Sequence, residues 1–198
     1  MSIKNKKGLI SKVIVLTVAV ALLVQRPGTA IFAKTVTINN VSVNEAEDAN
    51  LSALAAAEMA KFPVSVQKSF VDNGWNYYIV ENMGISKAFG QKKKGWIIDA
   101  YTDINGKAIY INGSKRNIKS LYHEMGHFID STQGWPSQTA EFAAIYASEA
   151  SKVSEYATSN AKECFAEVVM GYYTDPEGTK KKAPQAYAFV TNVIVNYK

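Results

Sequence analysis

Apolar residues recur at helical spacing along most of the chain, and runs of β-branched and aromatic residues replace that pattern only in the middle. Near the N-terminus, helices are predicted at 50–60 and 64–71, with Asn50 or Ser52 able to cap the first. Loops containing Gly and Pro divide the C-terminal half into four further predicted helices, at 115–131, 138–153, 161–173 and 185–197. A helical scaffold is therefore expected on both sides of a short middle segment.

The middle segment predicts three short strands. They cover 75–80, 96–101 and 107–111, where aromatic and β-branched residues are frequent. Asn105-Gly106 lies between the last two strands, and it predicts a hairpin because both residues tolerate positive φ. The third strand directly precedes a predicted helix. The fold class is therefore expected to be α+β, mostly helical with a small β-sheet.

The first 33 residues have the outline of an export signal. Four lysines precede an unbroken apolar run at 13–24, and the segment QRPGTAIFA at 25–33 follows, with Ala30 and Ala33 as small residues suited to a cleavage site. A membrane-spanning helix needs roughly twenty residues, so this run favours a cleaved signal over a permanent membrane span, with a retained anchor as the alternative. Cleavage is expected after Ala30 or Ala33. The predicted organisation is a signal peptide at 1–33, a mobile connector at 34–48 and a single domain at 49–198.

Charge and cysteine content narrow the range of partners. Five of the 22 Lys and Arg residues lie in the predicted signal, which leaves 17 basic residues against 17 acidic ones. A near-neutral protein gives no support for nucleic-acid binding. The single cysteine, Cys164, leaves an exported chain without an internal disulfide, so core burial must stabilise it. We expect a secreted monomer, in the medium or on a bacterial cell surface, that binds no nucleic acid.

The segment SLYHEMGHFID, residues 120–130, carries the clearest chemistry. His123 and His127 are the two histidines of the chain, and their i, i+4 spacing places both on one helical face. Glu124 lies beside them as in the H-E-x-x-H arrangement, where it can act on a water without binding the metal. Apolar residues occupy the opposite face, and Gly126 would admit a close neighbour. This pattern predicts one Zn²⁺ ion; a solvated face carrying two histidines is the competing interpretation.

The third zinc ligand must be a carboxylate, because no histidine remains and catalytic zinc usually keeps three protein ligands. Asp130 lies too close on the same helix and suits a supporting role beside a ligand. Glu163 and Glu167 lie at i, i+4 on a later helix, where two like charges need a cation nearby. Helical spacing leaves open which of these two glutamates binds the metal and which supports it.

Five segments taken in chain order form a more specific pattern. They are Lys94-Gly95-Trp96, the zinc helix at 123–130, Tyr156, the segment ECFAE at 163–167 and the segment at 183–189. In this order they resemble the catalytic domain of anthrax lethal factor and the small secreted Pro-Pro endopeptidases. The resemblance implies a mostly helical, zincin-like metalloprotease domain with the small sheet beside the H-E-x-x-H helix.

The resemblance also orders the candidate site residues. In that family two histidines and the first glutamate of an E-F-F-A-E-like motif bind zinc, which implies His123, His127 and Glu163 as ligands here. Glu167 would then support a ligand. A tyrosine seven residues before the ligand glutamate helps to stabilise the transition state in the family, and Tyr156 occupies that position.

A substrate position is implied as well. Lys94 and Trp96 match residues beside the substrate in the Pro-Pro endopeptidases, and the strand containing Ala108, Ile109 and Tyr110 would pair with an extended peptide by β-augmentation. Between Trp96 and the zinc helix this chain has a short hairpin, whereas those endopeptidases carry a longer, glycine-rich loop. Cleavage near proline is thus an expectation from the resemblance alone.

The expected function is that of a secreted zinc-dependent endopeptidase that cleaves extended segments of extracellular or surface proteins. Glu124 would be the general base, and Tyr156 would stabilise the oxyanion. The alternative is a non-catalytic secreted binding or toxin-like module that keeps zinc for structure. Glu124 favours the enzyme, because a structural zinc site needs no general base and usually fills its fourth position with a protein ligand.

Overall fold

Helices dominate the part of the chain that the computed structural model describes, residues 34–90 and 97–198. Short 3-10 turns occur at Asn117–Lys119, Pro136–Gln138 and Tyr156–Ser159. The strands are β1 (Thr35–Ile38), β2 (Val41–Asn44), β3 (Asn76–Val80), β4 (Ala100–Asp103) and β5 (Ala108–Asn112). The helices are α1 (Ala49–Met59), α2 (Val64–Asp72), α3 (Gly84–Phe89), α4 (Ser120–Thr132), α5 (Ala140–Val153), α6 (Ala161–Thr174), α7 (Pro176–Lys182) and α8 (Pro184–Val195).

All six predicted helices form, with shifted ends, and the expected α+β class is confirmed. The predicted caps of α1 are wrong. Asp48 caps this helix, because its backbone is extended and its carboxylate accepts the N–H groups of Asn50 and Leu51 at 2.8 and 3.2 Å. Helices α3 and α7 were not predicted. In α7, Pro176 takes the first helical position, which tolerates proline because no intrahelical hydrogen bond is needed there.

Three of the strands form the predicted middle sheet, in the order β3-β5-β4. β5 is therefore the central strand, parallel to β3 and antiparallel to β4. The turn at Asn105-Gly106 joins β4 to β5 as predicted, but positive φ falls on neither of these residues. Lys107 takes the left-handed conformation instead, with φ of 51°.

The side chains of β5 alternate between two hydrophobic clusters, as the pleat of a strand requires. Ile109 and Ile111 face the main core, which α4 and α6 share with the other long helices. Ala108 and Tyr110 face a second cluster on the other side of the sheet. This second cluster also contains Ile38, Val43, Val80, Ile85 and Ala88.

Residues 34–48 were predicted to be a mobile connector, but they contain regular structure. Strands β1 and β2 form an antiparallel hairpin there, and Glu45 bridges to Val80 at the edge of the middle sheet. Ile38 and Val43 are buried in the second cluster, which explains why the segment is ordered despite its polar composition. The compact unit therefore includes residues 34–48 rather than beginning at 49.

Two predictions lie outside the described residues: the signal peptide at 1–33, and the substrate contacts of Lys94 and Trp96. Within the described chain, none of the helices combines the length and hydropathy that a membrane span requires.

Gly126 allows α4 and α6 to pack with their backbones close together. A Cβ placed on Gly126 would lie 2.7 Å from the Cα of Ala166 and 3.2 Å from the Cβ of Val169. The nearest of these atoms is backbone and cannot rotate away. The close approach that the sequence predicted at Gly126 is thus found, and it fixes the spacing between the two helices.

Gly126→Ala is expected to destabilise the protein by about 1–3 kcal/mol, as overpacking of a core usually does. At an exposed helical position the same change would stabilise by about 1 kcal/mol through helix propensity. The free energy of unfolding in urea distinguishes the two results. Ala144→Gly, on the exposed face of α5, measures the propensity effect alone. A stabilised Gly126→Ala protein would contradict the close packing of α4 on α6.

Candidate metal centre and cleft

Helix α4 presents three functional side chains in one and a half turns. His123 and His127 lie one turn apart with ring centroids separated by 4.9 Å and ring planes at 80°. His123 is only 7% exposed, and Glu124 is similarly buried at 6%. The i, i+4 spacing thus brings both imidazoles to one place, as the sequence predicted.

Helix α6 supplies a carboxylate to the same place. Glu163 Oε2 lies 3.0 Å from Nε2 of His123 and 3.3 Å from Nε2 of His127. One donor atom from each of the three residues lies within 4.8 Å of the other two. Tetrahedral zinc with bonds near 2.1 Å separates its ligand atoms by about 3.4 Å, so two imidazoles and one carboxylate in this arrangement suit the ion.

Glu167, one turn further along α6, contacts the other nitrogen of the same histidine. Its Oε1 lies 2.9 Å from Nδ1 of His123, while its Oε2 accepts a hydrogen bond of 2.7 Å from Ser154. In a neutral His123 the proton would stay on Nδ1, where Glu167 accepts it, and Nε2 would be available to bind a metal ion. The two glutamates that helical spacing could not distinguish therefore occupy different positions relative to His123.

Hydrogen bonding between these groups outweighs their burial. Burial opposes protonation of His123, but its bonds to Glu163 and Glu167 raise the pKa of the imidazole to about 10. Burial also opposes ionisation of Glu163, yet its bonds to both histidines hold its pKa well below the usual range. The carboxylate is therefore ionised, as a metal ligand must be.

Tyr156 lies at the rim of this cluster, in the 3-10 turn before α6. Its ring centroid is 5.7 Å from that of His123, and the residue is 53% exposed. Partial burial of the hydroxyl, together with the charges of Glu163 and Glu124, raises the pKa of Tyr156 to about 12. The hydroxyl is therefore protonated at neutral pH and can donate a hydrogen bond.

Ser154 links this tyrosine to the metal cluster. Its hydroxyl donates to Glu167 and accepts the N–H of Ala157 at 2.9 Å. Ala157 follows Tyr156 in the same turn, so a chain of hydrogen bonds runs from His123 to the backbone beside Tyr156. Nothing in the local sequence singles out Ser154, and sequence analysis missed it.

Thr102 is a second residue that the sequence did not reveal. Its hydroxyl donates to the carboxylate of Glu124 and lies 3.3 Å from the backbone oxygen of Glu124. Thr102 belongs to β4, so the sheet helps to orient this carboxylate. Thr102 and Glu124 are 22 residues apart in the sequence, so their contact could not be predicted before the fold was known.

Asp130 was predicted to support a metal ligand, but its hydrogen bonds lead elsewhere. The buried carboxylate accepts the backbone N–H and the hydroxyl of Ser137 at 2.8 and 2.6 Å. Burial raises the pKa of Asp130, although both bonds from Ser137 act in the opposite direction. Asp130 therefore fixes the turn after α4, and its supporting role beside a metal ligand stays a prediction.

A cleft of about 230 Å³ opens over the cluster. His123, Glu124, His127, Tyr156 and Glu163 all line it, so the donor set is accessible to a substrate. The remaining wall comes from β4, from the turn after α4 and from the start of α6. It consists of Ala100, Tyr101, Thr102, Ile104, Trp135 and Lys162.

The strand predicted to pair with the substrate is not available for that role. Ala108, Ile109 and Tyr110 belong to β5, which is buried along its whole length and has a partner strand on each side. Their backbone groups already pair with β3 and β4, so they cannot also pair with a peptide. The edge that borders the cleft belongs to β4.

The family described as "Anthrax toxin lethal factor, N- and C-terminal domain" matches residues 72–193, a range that includes α4, α6 and every residue of the cluster. The chain belongs to this family. The resemblance seen in the sequence is thereby confirmed. No curated protein matches the chain.

Among solved structures, this member of the lethal factor family is similar to the Pro-Pro endopeptidase PPEP-2 from Paenibacillus alvei. The two share 18% of their residues and align with a TM-score of 0.62 over 75% of this chain and 93% of that chain. At this level of identity the likeness concerns the fold, and it confirms the expected zincin-like architecture.

Proposed function

We propose that the protein is a secreted zinc-dependent endopeptidase that cleaves extended segments of extracellular or surface proteins. The main support is the position of Glu124, which lies beside a set of two histidines and one glutamate that opens onto a cleft. A purely structural zinc site is normally closed by four protein ligands. Here the described residues contribute three donors, and a buried carboxylate accompanies them.

His123, His127 and Glu163 would hold the ion, and Glu167 would orient His123 through Nδ1. Zinc in such a site polarises a carbonyl oxygen and makes water a stronger nucleophile near neutral pH. Two imidazoles and a single carboxylate leave one coordination position for this chemistry.

The other residues of the cleft supply proton transfer and charge stabilisation. Glu124 takes a proton from the attacking water and delivers it to the leaving amine, with its carboxylate oriented by Thr102. Tyr156 donates a hydrogen bond to the oxyanion that forms on the scissile carbonyl, a contribution of about 3–4 kcal/mol in well-studied cases. Its raised pKa keeps the donor proton in place at neutral pH.

An extended substrate would pair with β4. Within the described residues this strand has a partner on one side only. Asn112 donates its N–H to the oxygen of Asp99 at 2.8 Å, and hydrogen-bonded pairs alternate along an antiparallel ladder. Ala100 and Thr102 therefore fall on the non-bonded pairs, so their N–H and C=O groups point away from β5 towards the open edge. This geometry suits β-augmentation.

Purified protein is expected to cleave members of a library of extended peptides, including sequences with proline on either side of the cut. Removal of zinc by a chelator should abolish cleavage, and added Zn²⁺ should restore it. Mg²⁺ is the matched control, because it prefers oxygen ligands and should not restore activity. Cleavage that continues unchanged in the chelator would contradict the proposal. Zinc binding without any cleavage would instead favour the non-catalytic module.

A further inference from the structure

Lys162 and Trp135 form a pair in the wall of the cleft that the proposed mechanism does not use. The ammonium nitrogen of Lys162 lies 3.8 Å from the centroid of the Trp135 ring, a close cation–π contact. Both side chains border the same cleft as the metal cluster. Among the described residues, no carboxylate lies within 4 Å of the Lys162 nitrogen. The positive charge is thus held beside the cleft without an acidic partner.

The backbone that carries Trp135 is held in an unusual conformation. Trp135 is left-handed, with φ of 63° and ψ of 57°, a strained conformation that is rare for a bulky residue. Its N–H donates to the backbone oxygen of Asp130 at 2.8 Å, and its own oxygen accepts the N–H of Gln138 at 2.9 Å. The buried carboxylate of Asp130 fixes Ser137 in the same turn. These bonds offset the strain and hold the indole at the edge of the cleft.

The backbone of Lys162 is also held by hydrogen bonds. It lies in the first turn of α6, where the side chain of Asn160 accepts the backbone N–H groups of Lys162 and Glu163 at 3.0 and 3.1 Å. One cap therefore fixes the backbone of both the lysine and the adjacent metal-ligand candidate. Because the long side chain of Lys162 rests on the indole ring, less rotamer entropy remains to be lost when it binds an anion.

We propose that Lys162 and Trp135 form a subsite that binds an acidic side chain, Asp or Glu, of the peptide substrate. The subsite rests on the proposed endopeptidase function and adds a selectivity to it. An ammonium group with no acidic partner forms charge-assisted hydrogen bonds with a carboxylate, and the apolar indole surface lowers the local dielectric around that pair. An amide side chain of the same shape would gain only ordinary hydrogen bonds.

Matched peptides test this subsite directly. They carry Glu, Gln or Lys at one position after another on both sides of the cut, with amidated C-termini so that the side chain supplies the carboxylate. At one position, kcat/KM is expected to favour Glu over Gln by about tenfold, the size of one charge-assisted bond at a partly exposed site. The preference should weaken at high ionic strength.

Variants of Lys162 identify the group responsible. Lys162→Met is expected to reduce the Glu/Gln ratio to about one, Lys162→Arg to retain it, and Lys162→Glu to favour the Lys peptide. Lys152→Met, on the exposed face of α5, is the matched control and should keep the ratio of the unchanged protein. A ratio near one at every position, or a preference that survives in Lys162→Met, would overturn the subsite. So would a preference seen only in peptides with a free C-terminal carboxylate.

Equilibrium binding separates this proposal from the endopeptidase function. The same peptides are titrated into Glu124→Gln protein and into the Glu124→Gln, Lys162→Met double variant. If no peptide is cleaved by the unchanged protein, the endopeptidase function is contradicted, and binding alone decides the subsite. A preference for Glu peptides that disappears in the double variant supports it, and equal binding of Glu and Gln peptides overturns it.

Discussion

Replacing Glu124 by Gln is expected to lower kcat for a cleaved peptide by about 10²- to 10⁴-fold, the usual contribution of a general acid–base group. Gln keeps the size of the side chain and can still accept the hydrogen bond from Thr102. It cannot take a proton from water. Since Glu124 is not one of the three clustered donors, zinc affinity should change by less than about tenfold. Steady-state kinetics and competition with a chromophoric chelator measure the two quantities on the same sample.

Glu141→Gln provides a matched control for the Glu124 variant. Glu141 is exposed in the first turn of α5 and does not border the cleft, so the same change there should leave kcat and zinc affinity unaltered. Glu124→Gln protein that binds zinc and cleaves at the rate of the unchanged protein would rule out Glu124 as the base.

The second large effect is expected at the glutamates of α6. Glu163→Gln should weaken zinc binding by more than about 100-fold, because it removes the charge that lies against both imidazoles. Glu167→Gln should weaken it by only about 10- to 100-fold, the usual effect of losing a partner that orients a ligand. The order follows from the contacts of His123, with Nε2 against Glu163 and Nδ1 against Glu167.

Isothermal titration of each variant with Zn²⁺ measures this order, and Glu155→Gln, at an exposed position before the Tyr156 turn, serves as the neutral comparison. Thermal unfolding of each variant without zinc separates a loss of the fold from a loss of the ligand. If zinc binds Glu163→Gln more tightly than Glu167→Gln, the roles of the two glutamates are reversed.

Local patterns predicted the helices that carry the site. The motif around His123 and the glutamate pair at Glu163 and Glu167 each repeat at four residues, and a repeat of that length specifies one face of a helix. It does not specify which turn of α6 meets which nitrogen of His123, because that depends on how the two helices pack. The close approach at Gly126 sets this packing, and the family resemblance supplied the order beforehand.

Strand order was harder to predict, because position along the chain does not show which strand lies at an edge. The strand containing Ile109 directly precedes the zinc helix, but β4 pairs on its outer side and makes it central. Similarly, the contacts of Thr102 and Ser154 depend on residues distant in sequence. The left-handed Trp135 had one local signal, the Gly134-Trp135-Pro136 sequence, which marks a turn without indicating a cleft.

The pleat of β4 determines which side chains of a bound peptide would contact each face of the sheet. Thr102 faces α4 and donates a hydrogen bond to Glu124. The ring of the neighbouring Tyr101 lies on the opposite side of the sheet, where its centroid is 4.6 Å from that of the Phe89 ring and it stacks on Tyr110. A peptide paired with this edge would share the same period of two. Every second side chain would lie over the metal-site face, and the side chains between them would lie over the aromatic surface. The protein would therefore contact a substrate through two alternating sets of side chains, one over the metal cleft and one over the aromatic surface on the other side of the sheet.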